Sequence, residues 1–257
     1  MKIGICTDAS HIAQLKEGAA DYVELNLTSI KNMSEAEFQE MEKILDDKGV
    51  KAEATNCFFP GDVKLCGRKL DMVKVTVHTQ RALERAAFLG IHTCVLGSGA
   101  ARMIEEGENV KRCSSQIVEV FGRVGDIAKQ YGTTVVIEPL NKGETNTINS
   151  VSEAAKIVRK LNHENILLLA DLFHVALENE PLSVIAENGD ILRHMHIARP
   201  EGRLFPMEGD GYDYLKVKEA VDKAGYDLRI SIEGRYEGGD FKKSAEESLA
   251  FLKKIFK

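Results

Sequence analysis

The chain has 257 residues, 44% of them apolar and 29% charged, with a net charge of −6. That balance belongs to a globular protein with a large core, and an acidic chain without a basic block is poorly suited to nucleic acid or an anionic membrane surface. The opening MKIGICTDAS holds too short an apolar run for a signal peptide, and no stretch is long enough to span a bilayer, so no membrane partner is expected. The five cysteines (Cys6, Cys57, Cys66, Cys94, Cys113) are scattered without a CxxC pair, which suits free thiols in a reducing cytoplasm.

Strand-like and helix-like segments alternate from end to end. Lys2–Cys6 reads as a strand, His11–Ala19 as a helix and Tyr22–Leu25 as a second strand. Ser34 opens a helix with Glu37 at the capping-box position and Gly49 at its end. Lys51–Asn56 is the third strand, Leu70–Leu89 a long helix and Thr93–Leu96 the fourth strand, stopped by GSGAAR. Val110–Tyr131 is helical, and the fifth strand then runs to Glu138. A helix over Ser152–Leu161, a sixth strand to Asp171, a short helix near Pro181–Asn188 and a seventh strand to His196 follow. The chain closes with a helix over Tyr214–Ala224, an eighth strand to Glu233 and a helix over Asp240–Phe256.

Eight strands alternating with eight helices, without a linker or a shift in composition, predict one (β/α)8 TIM barrel domain over residues 1–257. A doubly wound open sheet would want a glycine-rich phosphate turn after the first strand, where this chain has TDASH.

Four of the strands end on residues able to bind a metal. TTVVIE ends on Glu138, LLLAD on Asp171, RHMH on His196 and RISIE on Glu233. Each alone also fits an ordinary solvated strand end. In a (β/α)8 barrel, however, the C-terminal strand ends face the active-site mouth, so all four converge. Three carboxylates gathered there repel one another, and a divalent cation relieves the repulsion. Three oxygen donors and one nitrogen favour Mn²⁺, with Mg²⁺ or Co²⁺ as alternatives, over zinc. His174, in DLFH, follows Asp171 closely enough to reach a bound hydroxyl. Glu144 lies in the loop NKGETN above the mouth, where it can accept hydrogen bonds from a polyol. Arg203, in the loop after the seventh strand, can hold an anionic or hydroxylated substrate end. His194 points to the same side as His196 and reads as a deeper packing residue or one that supports a ligand.

The series IEPLN, ADLFH, HMHIA, GDGYDY and SIEG resembles the xylose-isomerase-like barrel superfamily of sugar (phosphate) isomerases and epimerases, and within it the D-tagatose/D-psicose ketose 3-epimerases. The resemblance implies Glu138, Asp171, His196 and Glu233 as metal ligands, Glu138 and Glu233 as the two catalytic carboxylates, and Glu144, His174 and Arg203 as residues that hold the sugar. It also implies one divalent metal ion, a small-molecule sugar substrate and a homo-oligomer. Ketose 3-epimerisation through an enediolate is the reaction expected first. Aldose–ketose or hydroxypyruvate-type isomerisation and inosose dehydration on the same site are its alternatives. An AP endonuclease shares the same strand-end residues but needs an Asp-x-His after the seventh strand, and the chain has Asp210-Gly211-Tyr212 there. A non-catalytic sugar- or metal-binding barrel has no need of two opposed carboxylates.

Overall fold

Short apolar strands joined by amphipathic helices pair in parallel, and with enough of them the sheet closes on itself. In the computed structural model, which describes residues 1–257, the strands close in sequence order. They are β1 (Lys2–Cys6), β2 (Tyr22–Asn26), β3 (Ala52–Asn56), β4 (Thr93–Leu96), β5 (Thr134–Ile137), β6 (Ile166–Asp171), β7 (Leu192–Ile197) and β8 (Arg229–Ile232). Closure is made at β1, where Gly4 is in register with Tyr22 of β2 on one side and Ser231 of β8 on the other.

The helices are α1 (Ala9–Ile12), α2 (Leu27–Asn32), α3 (Glu35–Asp47), α4 (Met72–Phe88), α5 (Gly99–Arg102), α6 (Val110–Gln130), α7 (Val151–Leu161), α8 (Leu172–Leu177), α9 (Ser183–Glu187), α10 (Tyr214–Lys223) and α11 (Phe241–Phe256). The capping box at α3 forms as expected: Ser34 N donates to Glu37 Oε2 at 2.8 Å and Glu37 N donates to Ser34 Oγ at 3.3 Å. No helix is long and apolar enough to cross a membrane.

Two expectations are corrected. The helix expected over His11–Ala19 is the single turn α1, capped by Asp8, because Lys16 N leaves the helical ladder to bond Glu246 Oε1 of α11 at 2.9 Å. The helices number eleven rather than eight, because α2 and α8 follow β2 and β6 directly and α5 follows β4 after Gly97 and Ser98. Two of these are capped by the strand-end residues themselves: Asn26 accepts from Ser29 N, and Asp171 from Phe173 N. Helices this short carry no readable period.

Most of the core lies between the sheet and the helices. Inside the barrel the two halves differ. On one side Val95, Val136 and Leu169 form a small apolar cluster of their own. They stand two residues below Gly97, Glu138 and Asp171 and therefore share their inward face. On the other side lie Tyr22, Glu24, His194, His196 and Ser231, all fully buried and all polar. Tyr22 fits because Gly4 beside it has no side chain: a Cβ there would stand 2.4 Å from the ring. Gly4→Ala should therefore destabilise the fold by about 1–3 kcal/mol, the usual cost of overpacking a closed core, read as a lower urea midpoint.

Candidate metal centre and active site

Glu138 begins the loop after β5, Asp171 ends β6, His196 lies at the end of β7, and Glu233 begins the loop after β8. A donor atom from each lies within 4.8 Å of all the others. His196 Nδ1 sits at the centre, 3.1 Å from Glu138 Oε1 and 3.2 Å from Glu233 Oε2. The site is deeper than an open mouth: Asp171 and His196 are fully buried and Glu138 is 5% exposed.

Burial and crowding set the charge states. Burial, then the charges of Glu233 and Glu138, pushes the Asp171 carboxyl up to about 7. Burial and Glu233 also raise Glu138. Burial would raise Glu233 too, but His196 and Arg203 outweigh it and hold that carboxyl down at about 2. The two carboxylates flanking His196 are thus driven apart, the pattern of an acid and a base sharing one site.

The three residues expected to hold a substrate all reach this centre. Arg203 Nη2 donates to Glu233 Oε2 at 2.6 Å and to Asp171 Oδ2 at 3.4 Å, and Nη1 donates to Glu144 Oε1 at 3.4 Å. Its guanidinium lies 4.7 Å over the Phe173 ring. The loop that delivers it turns through positive φ at Gly202 (76°) and at Arg203 itself (51°). Gly234 leaves room for that turn, since a Cβ there would stand 2.8 Å from the Arg203 carbonyl oxygen. His174 Nδ1 accepts from Asn141 N at 3.2 Å and from Asn141 Nδ2 at 2.9 Å, so the ring proton is on Nε2. Burial, then Arg203, pushes this imidazole down to about 3, and it is neutral. Its Nε2–H has no hydrogen-bond partner and lies 3.4 Å from Asp171 Oδ2, a donor left free at the site. Asn141 also donates to Glu144 Oε1 at 2.9 Å, so one amide joins Glu144 to His174 of α8.

Several residues that shape the site were given no such part from the sequence. Asn56, at the end of β3, donates to Glu233 Oε1 at 2.9 Å. Arg102 is fully buried and donates to the Glu138 carbonyl at 3.0 Å, fixing the backbone from which that carboxylate springs. Gly97, at the exit of β4, leaves the space that Glu138 occupies: a Cβ there would stand 2.2 Å from Glu138 Oε2. Glu24, in the middle of YVELN, is fully buried and bonds both His194 and His196. Its signal was visible, since a carboxylate inside an apolar strand needs a partner.

The donor set fits a divalent cation. Three carboxylates and one imidazole nitrogen place donor atoms within 4.8 Å of one another, and the carboxyls of Asp171 and Glu138, raised by burial and then by their neighbours' charge, are in the state that a cation would relieve. The Asp-x-His site that an AP endonuclease needs is not supported at Asp210. Both of its oxygens are taken by its own loop, by Met207 N at 3.0 Å, Tyr212 N at 3.0 Å and the Tyr214 hydroxyl at 2.7 Å.

Relatives carry the same architecture. The chain is 28% identical over 128 residues to a 3-dehydro-D-guloside 4-epimerase of Escherichia coli (strain K12), a match covering 49% of this chain and 48% of that protein. It is 24% identical over 199 residues to a D-psicose 3-epimerase of Agrobacterium fabrum, covering 76% and 68%. The aligned stretch thus spans about half the length of the first relative. The crystal structure of D-psicose 3-epimerase with D-tagatose from Clostridium cellulolyticum H10 superposes over 100% of both chains with a TM-score of 0.84 at 20% identity, which establishes a shared fold. A profile of the xylose isomerase-like TIM barrel matches residues 12–255, and the chain belongs to that family.

Proposed function

We propose that this protein is a divalent-metal-dependent sugar epimerase, acting on a free ketose by moving a proton at the carbon beside the carbonyl. The observation that carries the reading is the pairing of Glu138 and Glu233 on either side of His196 Nδ1, with their proton affinities driven in opposite directions. A cation held by Glu138, Asp171, His196 and Glu233, with Mn²⁺ the best match, supplies Lewis-acid stabilisation of the negative charge that develops on the substrate oxygens. The residues do the rest. One carboxylate removes the proton from one face of the carbon and the other returns a proton to the opposite face, which inverts the stereocentre without a redox cofactor. That role requires each carboxylate to keep one oxygen free of the cation. The Nε2–H of His174 is free to donate to a sugar hydroxyl or carbonyl oxygen, and Arg203 and Glu144 close over the substrate as donor and acceptor.

A sugar without phosphate is favoured by how the arginines are engaged. Arg102 is buried on backbone carbonyls, Arg199 Nε donates to the Glu201 carbonyl at 3.1 Å, and Arg235 Nη2 donates to the Gly202 carbonyl at 2.8 Å. Arg203 faces three carboxylates. No cluster of uncommitted guanidinium groups stands ready for a dianion.

Incubation with Mn²⁺ and free ketoses in D₂O tests the reading. Metal-dependent incorporation of deuterium at C3 with appearance of the C3 epimer, abolished by EDTA, is expected. Exchange at C1 or C2 with an aldose product would move the assignment to aldose–ketose isomerisation.

Gly97→Ala should displace the Glu138 carboxylate while leaving the barrel folded. Saturating Mn²⁺ at about 100 times its Kd should stabilise the wild type by about 2.7 kcal/mol, and the corresponding rise in melting temperature should be much smaller in the variant. His174→Ala should raise KM or lower kcat and leave metal content unchanged. Loss of the metal in that variant would make His174 a ligand.

A further inference from the structure

Below the metal centre the barrel holds a second polar layer that the proposed reaction does not use. Glu24 projects from the middle of β2 and is fully buried. Its Oε2 accepts from Ser231 Oγ at 2.6 Å and from His194 Nε2 at 2.8 Å, and its Oε1 accepts from His196 Nε2 at 3.0 Å. The layer continues downward: Ser231 spends its proton on Glu24, so its oxygen accepts the Tyr22 hydroxyl at 2.7 Å. Tyr22 in turn occupies the space left by Gly4. Five side chains from β2, β7 and β8 are thereby arranged in one sense, every proton pointing toward the Glu24 carboxylate.

The consequence falls on His196. A neutral imidazole carries one ring proton, and the nitrogen that holds it cannot bind a metal. With Nε2–H committed to Glu24, Nδ1 is the nitrogen that faces Glu138, Asp171 and Glu233, where a cation would take the place of the proton it shares with those carboxylates. A carboxylate on the far nitrogen of a metal-binding histidine also fixes the ring plane and strengthens its donor atom. We propose that Glu24 is the positioning residue of the metal centre: it selects the Nε2–H tautomer of His196 and presents Nδ1 to the cation, while His194, Ser231 and Tyr22 hold Glu24 in place. This rests on the four-residue metal centre proposed above.

A competing arrangement uses the same residues. Cys6, Glu24 and His196 also place donor atoms within 4.8 Å of one another, as a second cation site would. The layer favours the positioning role, because each Glu24 oxygen is already engaged by a donor, three donors in all.

Calorimetric titration of Mn²⁺ into metal-stripped wild type and Glu24→Gln separates these cases. The wild type should bind one ion per chain. The variant, whose amide nitrogen turns a donor toward donors, should bind it about 10- to 100-fold more weakly while melting cooperatively. Unchanged affinity in the folded variant would overturn the proposal. Two ions in the wild type, one of them lost in the variant, would overturn it in favour of the Cys6–Glu24–His196 site. A wild type that binds no ion would overturn the metal centre itself. A measurement on the wild type alone decides the matter if the variant does not fold. In ¹⁵N spectra of the Mg²⁺-loaded protein, His196 should carry its proton on Nε2, and a proton on Nδ1 would overturn the proposal.

Discussion

The structure depends on how charge is managed inside a closed barrel. Four carboxylates, Glu24, Glu138, Asp171 and Glu233, stand around one imidazole in a space from which water is largely excluded. Burying charge is costly unless each group finds a partner. Glu24 has three donors, and its carboxyl lies well below the usual range because His196 and His194 outweigh its burial. Glu233 has Arg203, Asn56 and His196. Glu138 and Asp171 are left the least satisfied, and their carboxyls are raised. That gradient, from a lower layer whose carboxylate is well paired to an under-compensated upper one, is what fits the upper layer to the proposed cation and proton transfer.

The scaffold around these groups reads as provision for them. Gly97 vacates the volume that Glu138 fills, Gly234 allows the turn that brings Arg203 in, and Gly4 admits the Tyr22 ring at the foot of the lower layer. Arg102 fixes the backbone at Glu138, and Asn141 links Glu144 to His174. The apolar half of the interior, Val95, Val136 and Leu169, lies beneath Gly97, Glu138 and Asp171 and keeps that side of the barrel dry. Strand ends thus carry the proposed reacting groups, while loops carry Arg203 and Glu144, the groups proposed to hold a substrate.

Much of this was legible in the sequence, for a definite reason. Strands buried on both faces read as apolar runs, so Glu138, Asp171, His196 and Glu233 stand out as abrupt endings. Their spacing through the alternating pattern then assigns each to its own strand. The same logic reached His194 but passed over Glu24, which sits inside YVELN rather than at its end. A carboxylate within a strand announces that it has a partner but not which one, and Glu24 and His196 are 172 residues apart in sequence. The short helices α2, α5 and α8 were missed because four to six residues cannot show a helical period. Asn26, just past the expected second strand, and Asp171, read only as a strand end, cap α2 and α8. The internal position of Arg102 could not be read from the sequence, because its burial depends on the fold of GSGAAR against Glu138 and Ile148.

The central claim is that Glu138 and Glu233 each serve one face of the same carbon. Its most direct measurement follows deuterium exchange from each of two C3-epimeric ketoses in the Glu138→Gln and Glu233→Gln variants, loaded with Mn²⁺. The account predicts that both variants lose epimerisation, that each still exchanges the C3 hydrogen of one epimer, and that the epimer spared is opposite in the two. If one variant exchanged neither epimer while the other still interconverted them, a single carboxylate would be doing both transfers, and the two-base account would be wrong.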